Sequence, residues 1–175
     1  VLFTCMVGLI IAPNNVSYLN SVLSLIAVAL GAGAAGTLNM WYESDLDALM
    51  TRTCLRPIPT GQVTKNQALF FGILLSIGSI SLLYYSSNLM SASLLLLTIC
   101  FYFFIYTVWL KRRTPQNIVI GGAAGALPPV IGWTIATGSL TIEPFILFLI
   151  IFLWTPSHFW ALSIYKSSDY KKAKI

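Results

Sequence analysis

Apolar stretches about as long as a helix needs to cross a bilayer recur along this chain, and that recurrence limits the fold more than any other feature. A crossing helix takes about 20 mostly apolar residues. Such runs fall at Tyr18–Leu49, Asn66–Tyr85, Ser91–Leu110, Asn117–Ala136 and Pro144–Tyr165, with a shorter one at Val1–Ala12 ended by Pro13-Asn14-Asn15. Only 9% of the residues are charged and 57% are hydrophobic, with a mean hydropathy of +0.83. A soluble domain carries about 25% charged residues, so this composition leaves too little polar surface for one. The sequence therefore predicts an all-α, polytopic transmembrane bundle forming a single domain over residues 1–175. The opening run starts at Val1 with no basic segment before it, so it reads as the tail of a span rather than a secretory signal, and the chain as a fragment. Cys5, Cys54 and Cys100 are scattered without metal-ligand spacing and read as packing or reduced thiols.

The charges fall in a pattern. Arg52, Arg56 and Lys65 lie between the second and third runs, and Lys111, Arg112 and Arg113 between the fourth and fifth. Lys166, Lys171, Lys172 and Lys174 follow the sixth. These connections share parity, so every Lys and Arg lies on one side of the membrane, which the positive-inside rule makes cytoplasmic. Glu43, Asp45, Asp47 and Asp169 lie on that same side, and only Glu143 on the other. Acidic residues contribute little to orientation, so their position needs another explanation. A polar site at the cytoplasmic helix ends supplies it.

Asn39, Glu43 and Asp47 recur every four residues at the end of the second run. On a helix this spacing places them along one stripe, about 6 Å of rise apart, with Asp45 pointing away. Carboxylates at the end of an apolar helix are costly unless paired, hydrated or bound to a cation. Hard oxygen ligands in such a row suit Mg²⁺, which substrate phosphates usually complete, and nearby thiolate or imidazole ligands for softer metals are lacking. A solvated acidic helix end is the plainer alternative. The next segment, Thr51-Arg52-Thr53-Cys54-Leu55-Arg56-Pro57, brings two guanidinium groups, and Lys111-Arg112-Arg113 a second cationic cluster. Carboxylates for a metal beside arginines for phosphate oxygens are what a metal-bridged diphosphate requires. Each basic cluster alone reads equally well as a topology anchor.

Tyr165-Lys-Ser-Ser-Asp169 repeats the four-residue spacing at the end of the sixth run, a loosely held hint of an internal repeat. His158, the one histidine, reads as a ligand contact, a proton acceptor or a hydrogen-bonded structural residue. Trp41, Tyr42, Phe159 and Tyr165 are candidates to line an apolar pocket, where ring faces would stabilise a cation. Gly31, Gly33, Gly36, Gly121, Gly122 and Gly125 read as small residues that let helices approach closely.

With these residues in hand, the chain resembles the UbiA superfamily of intramembrane prenyltransferases, and within it the branch that farnesylates haem. Asn39, Glu43 and Asp47 match the superfamily's Asn-x-x-x-Asp-x-x-x-Asp motif, and Arg52 to Pro57 the branch-typical Arg-Thr-x-x-Arg-Pro. The segments Tyr106 to Pro129 and Trp154 to Leu162 are very like the haem branch, and Asp169-Tyr170 falls where that branch keeps its second-motif aspartate. Glu43 stands where Asp is usual, and Tyr165 where other branches carry an Asp. The resemblance implies a nine-span bundle, of which about six are present. It implies Mg²⁺ on Asn39, Glu43, Asp47 and Asp169, and diphosphate on Arg52, Arg56, Lys111 and Arg112. Farnesyl diphosphate would be the donor and haem b the acceptor, giving haem O. His158, Tyr165 and Asn117 would belong to the acceptor or prenyl pocket. A bacterial inner membrane is the implied location, with haem A synthesis or terminal oxidase assembly as neighbouring partners. Two other readings remain at this point: a UbiA-type enzyme for an aromatic acceptor such as hydroxybenzoate, and a cation-coupled transporter. Transporter sites lie near the midplane at broken helices, whereas these acids cluster at one face beside arginines.

Overall fold

The structure is a computed structural model that describes residues 1–111, 113, 114 and 116–165. The described residues contain helices and connecting turns, without strands. α1 (Leu2–Ile11) is short and apolar. α2 (Tyr18–Tyr42) is followed by the single-turn α3 (Ser44–Asp47), then α4 (Lys65–Ser86) and α5 (Leu89–Cys100). α5 runs directly into a π-helix at Phe101–Leu110, after which come α6 (Asn117–Ala126), α7 (Pro128–Thr137) and α8 (Ile142–Tyr165). Five units are long and apolar enough to cross a bilayer: Tyr18–Tyr42, Lys65–Ser86, Leu89–Leu110, Asn117–Thr137 and Ile142–Ala161. The expected bundle is therefore present, as a multi-pass membrane protein.

Local chemistry sets the boundaries. The Ser17 hydroxyl accepts from the Asn20 amide at the start of α2. At the start of α4, Thr64 and Gln67 form a reciprocal capping box. Asn88 caps α5 by accepting from the Ser91 amide, 2.9 Å away. Pro128 begins α7, where a missing N–H costs nothing, and Gly138 ends it with φ +69°.

α2 and α4 form an antiparallel hairpin. Near its outer end Ser24 and Ser86 share a hydrogen bond of 3.0 Å, and near the other end Gly72 admits Leu38. The apolar core is drawn from α1, α2, α4, α5 and α7 and includes Val28, Leu83, Leu95, Ile99 and Ile131. The Asn88 amide donates to the Thr134 carbonyl at 2.8 Å, tying the α4–α5 turn to the end of α7. Small residues act as expected at Gly31, Gly121 and Gly122, which meet Leu95, Tyr106 and Thr155, whereas Gly33, Gly36 and Gly125 face open space.

Three expected spans prove irregular. The second was expected to run unbroken from Tyr18 to Leu49, but α2 ends at Tyr42 and Glu43 adopts φ −98°, ψ 14°. The expected fifth span divides at Leu127, because Pro128 and Pro129 withhold backbone donors from the preceding turn. The second half of the fourth is a π-helix: the Thr107 hydroxyl donates to the Tyr102 carbonyl five residues back at 2.9 Å, and the Lys111 amide to the Tyr106 carbonyl at 3.0 Å.

α1 and α7 touch backbone to backbone. A Cβ on Gly132 would lie 1.9 Å from the Cys5 carbonyl oxygen, and one on Gly8 2.1 Å from the Pro129 carbonyl oxygen. Neither contact can yield by a rotamer change. Gly132→Ala is expected to destabilise the full-length protein by about 1–3 kcal/mol, the usual cost of overpacking. Gly33→Ala, whose Cβ meets nothing within 4 Å, should leave stability unchanged or slightly raised. Thermal unfolding in detergent, comparing the two variants, measures the difference.

Candidate active site

The end of α2 carries polar side chains into a buried place. Glu43 is 1% exposed, Asp47 4% and Asn39 7%. Although the helix breaks at Glu43, its hydrogen-bond rhythm continues, with the Glu43 amide on the Asn39 carbonyl at 2.9 Å and the Asp47 amide on the Glu43 carbonyl at 2.8 Å. The three side chains thus keep the one-sided order expected from their spacing, while Asp45 is exposed. Beyond α3 the chain continues as a run of turns from Ala48 to Gly61 (φ +76°).

Each buried carboxylate has a basic partner. Lys111, entering from the end of the π-helix, donates to Glu43 Oε2 and makes a salt bridge with it. The same oxygen accepts from Asn39 Nδ2 at 2.8 Å. Arg56 reaches Asp47 from the turns beyond α3, with Nη1 3.0 Å from Oδ1 and 2.8 Å from Oδ2. The Thr53 hydroxyl donates to the Asp47 carbonyl at 2.9 Å and anchors the same turn. Glu43–Lys111 joins residues 68 positions apart and sets the second and fourth connections at one end of the bundle, as the charge pattern predicts.

Glu43 Oε1 is buried and has no hydrogen-bond partner among the described residues. A buried carboxylate oxygen without a donor is costly away from water, and a cation is one group that would offset the cost. Asn39, Glu43 and Asp47 offer oxygen chemistry of the kind Mg²⁺ takes, while the described residues hold no cluster of three or more His, Cys, Asp or Glu side chains. Beside Glu43, Trp41, Tyr42 and Phe103 form a ring cluster with centroids 6.2 to 6.3 Å apart.

The remaining predicted residues fare differently. Arg52 is exposed and forms no salt bridge with Glu43 or Asp47. Asn117 is buried but turns inward on its own loop, donating to the Thr114 carbonyl at 2.8 Å. His158 is exposed on α8; it stacks on Trp154 at 4.4 Å and meets Phe159 edge-on at 5.5 Å, both on its own helix. Arg112 and Asp169 lie outside the described residues, as does the side chain of Tyr165. Two residues of the site escaped the sequence reading. Phe103 and Thr107 sit in an aromatic run whose period is masked by the π-helix. Thr107, a fully buried hydroxyl four residues before Lys111, was the one available signal.

Apolar spans meeting at one end in two buried carboxylates, each paired with a basic side chain, define a helical membrane protein with a charged, buried site at one end. The UbiA prenyltransferase family model matches residues 1–175, and the chain belongs to that family. It is similar, 71% identical over 175 residues, to the protoheme IX farnesyltransferase of Pelagibacter ubique (strain HTCC1062), covering all of this chain and 58% of that protein. It is 57% identical to protoheme IX farnesyltransferase 2 of Mesorhizobium japonicum, again over all of this chain and 56% of the relative. The chain thus spans somewhat over half the length of these relatives. Two solved structures of a UbiA homolog from Archaeoglobus fulgidus share the fold. The one bound to DMAPP and Mg²⁺ superposes with a TM-score of 0.78 at 20% identity, covering 98% of this chain and 61% of that one. The one bound to GPP and Mg²⁺ gives 0.76 at 22% identity, with 99% and 61% covered.

The pairing of Glu43 with Lys111 is testable without any substrate. Lys111→Met leaves a buried charge uncompensated and should cost about 2–4 kcal/mol, toward the lower end of the range for a broken buried pair because Lys111 is partly exposed. The double variant Lys111→Met/Glu43→Gln, which removes both charges, should recover most of that loss. Unfolding midpoints of the purified full-length variants check it.

Proposed function

We propose that the protein transfers a farnesyl group from farnesyl diphosphate to a vinyl group of haem b, giving haem O, at the cytoplasmic end of a bundle in the bacterial inner membrane. The observation that carries this reading is the buried Glu43 Oε1, without a hydrogen-bond partner among the described residues, on a carboxylate whose other oxygen is held by Lys111 and Asn39. The names of the curated relatives support the donor and acceptor, and the haem-branch segments Tyr106 to Pro129 and Trp154 to Leu162 support haem over a hydroxybenzoate. Acids at one end beside arginines support a diphosphate over a transported ion.

Asn39, Glu43 and Asp47, with Asp169, would hold Mg²⁺. That ion would supply charge neutralisation for the diphosphate. Arg56 and Lys111, with Arg52 and Arg112, would take the remaining phosphate oxygens and the negative charge that develops as the C1–O bond of the donor breaks, which is electrostatic catalysis at the leaving group. The faces of Trp41, Tyr42 and Phe103 would shield the allylic cation from water and stabilise it. The haem vinyl group then supplies the electron pair for the new C–C bond. Water adds to the cation left on the porphyrin side and loses a proton, leaving a hydroxyethylfarnesyl substituent.

Asp47→Ala in the full-length protein, with folding confirmed by size-exclusion chromatography, should abolish conversion of added haem b and farnesyl diphosphate into haem O in isolated membranes. Chromatography of extracted haems reads the product. Turnover retained by this variant would refute the role given to Asp47.

A further inference from the structure

The polar chain behind Glu43 has a fixed direction. Lys111 can only donate, so Glu43 Oε2 accepts from it. That oxygen also accepts from Asn39 Nδ2 at 2.8 Å, and the second hydrogen of the same nitrogen points to Thr107 Oγ1 at 3.1 Å. The one hydrogen of Thr107 is committed to the Tyr102 carbonyl at 2.9 Å. Its oxygen is therefore left as an acceptor only. A flipped Asn39 amide would set its carbonyl oxygen against the Glu43 carboxylate and against a hydroxyl with no hydrogen to give. The network admits one amide orientation, with both N–H groups consumed between Glu43 and Thr107.

The π-helix makes this possible. In an α-helix a threonine hydroxyl bonds back to the carbonyl four residues earlier. Here it reaches five residues back, to Tyr102, and its oxygen is delivered to Asn39 across the helix interface. Thr107 is fully buried, so water does not compete for these bonds. Irregular π turns of this kind are frequent at functional sites.

We propose that Thr107 is a positioning residue, which through the π turn holds the Asn39 amide nitrogen on Glu43 Oε2 and so fixes that carboxylate with Oε1 left for the metal. This rests on the metal roles given to Asn39 and Glu43 above. Partners of this kind behind a metal ligand are worth 10–100-fold in metal affinity.

The test titrates Mg²⁺ against the full-length protein saturated with farnesyl thiodiphosphate, an unreactive donor analogue, and reads binding by calorimetry. Thr107→Val should weaken Mg²⁺ affinity by about tenfold, and Thr107→Ser should restore it. On an Asn39→Ala background, Thr107→Val should weaken binding no further. Wild-type affinity in Thr107→Val, a Thr107→Ser variant as impaired as the valine, or an undiminished effect on the Asn39→Ala background would each overturn the assignment. Thr107→Ala serves if the valine variant does not fold; failure of both to fold makes Thr107 a structural residue and also overturns it. An Asn39→Ala variant with wild-type Mg²⁺ affinity refutes the metal role of Asn39 itself, a result distinct from failure at Thr107 alone.

Discussion

A carboxylate buried at the end of an apolar helix is the constraint on which the rest of this structure turns. Glu43 is almost fully enclosed, and an isolated charge there would be costly enough to be neutralised by a proton. Lys111 and Asn39 offset that cost from two directions. One comes from α2 itself, and the other from the far end of the single span formed by α5 and the π-helix. The ion pair therefore does more than balance charge: it fixes which helix ends meet. Removing either partner leaves the other in a place built for two, which is why buried pairs resist single substitution more strongly than their net contribution suggests.

The second pair, Asp47 with Arg56, repeats the arrangement on a shorter loop. On the reading proposed here, both cations would bind the diphosphate and both acids the metal. Substrate arrival is then an exchange of partners within a preassembled set of charges. Little reorganisation is required of the bundle, because the carboxylates stay in place and only the longer, partly exposed basic side chains move. Preorganised charge of this sort is the usual source of electrostatic catalysis.

The departures from regular helix gather around this site. The chain bends at Glu43 where α2 would otherwise continue, and the π turn delivers Thr107 to Asn39 and Lys111 to Glu43. Gly121 opposite leaves room for the Tyr106 ring that the wider turn carries outward. Sites where local rules fail are commonly those where function imposes its own geometry. α8 carries Pro156 within it, and its outward face, with Phe145, Ile150, Leu153 and Trp160, is exposed along its length.

By itself the sequence determined the membrane-spanning class, nearly all the span positions, the common end on which the charges gather and the stripe of Asn39, Glu43 and Asp47. These follow from hydropathy and from spacing along one helix, which are local properties. The tertiary structure decided which acid meets which base, that His158 and Asn117 turn to their own segments, and that Thr107 and Phe103 belong beside Glu43. Such pairings join residues far apart in the chain. The π-helix lay equally beyond reach, because its wider turn is settled by a hydroxyl bonded five residues back and a glycine on the neighbouring helix, neither of which leaves a periodic trace in the sequence.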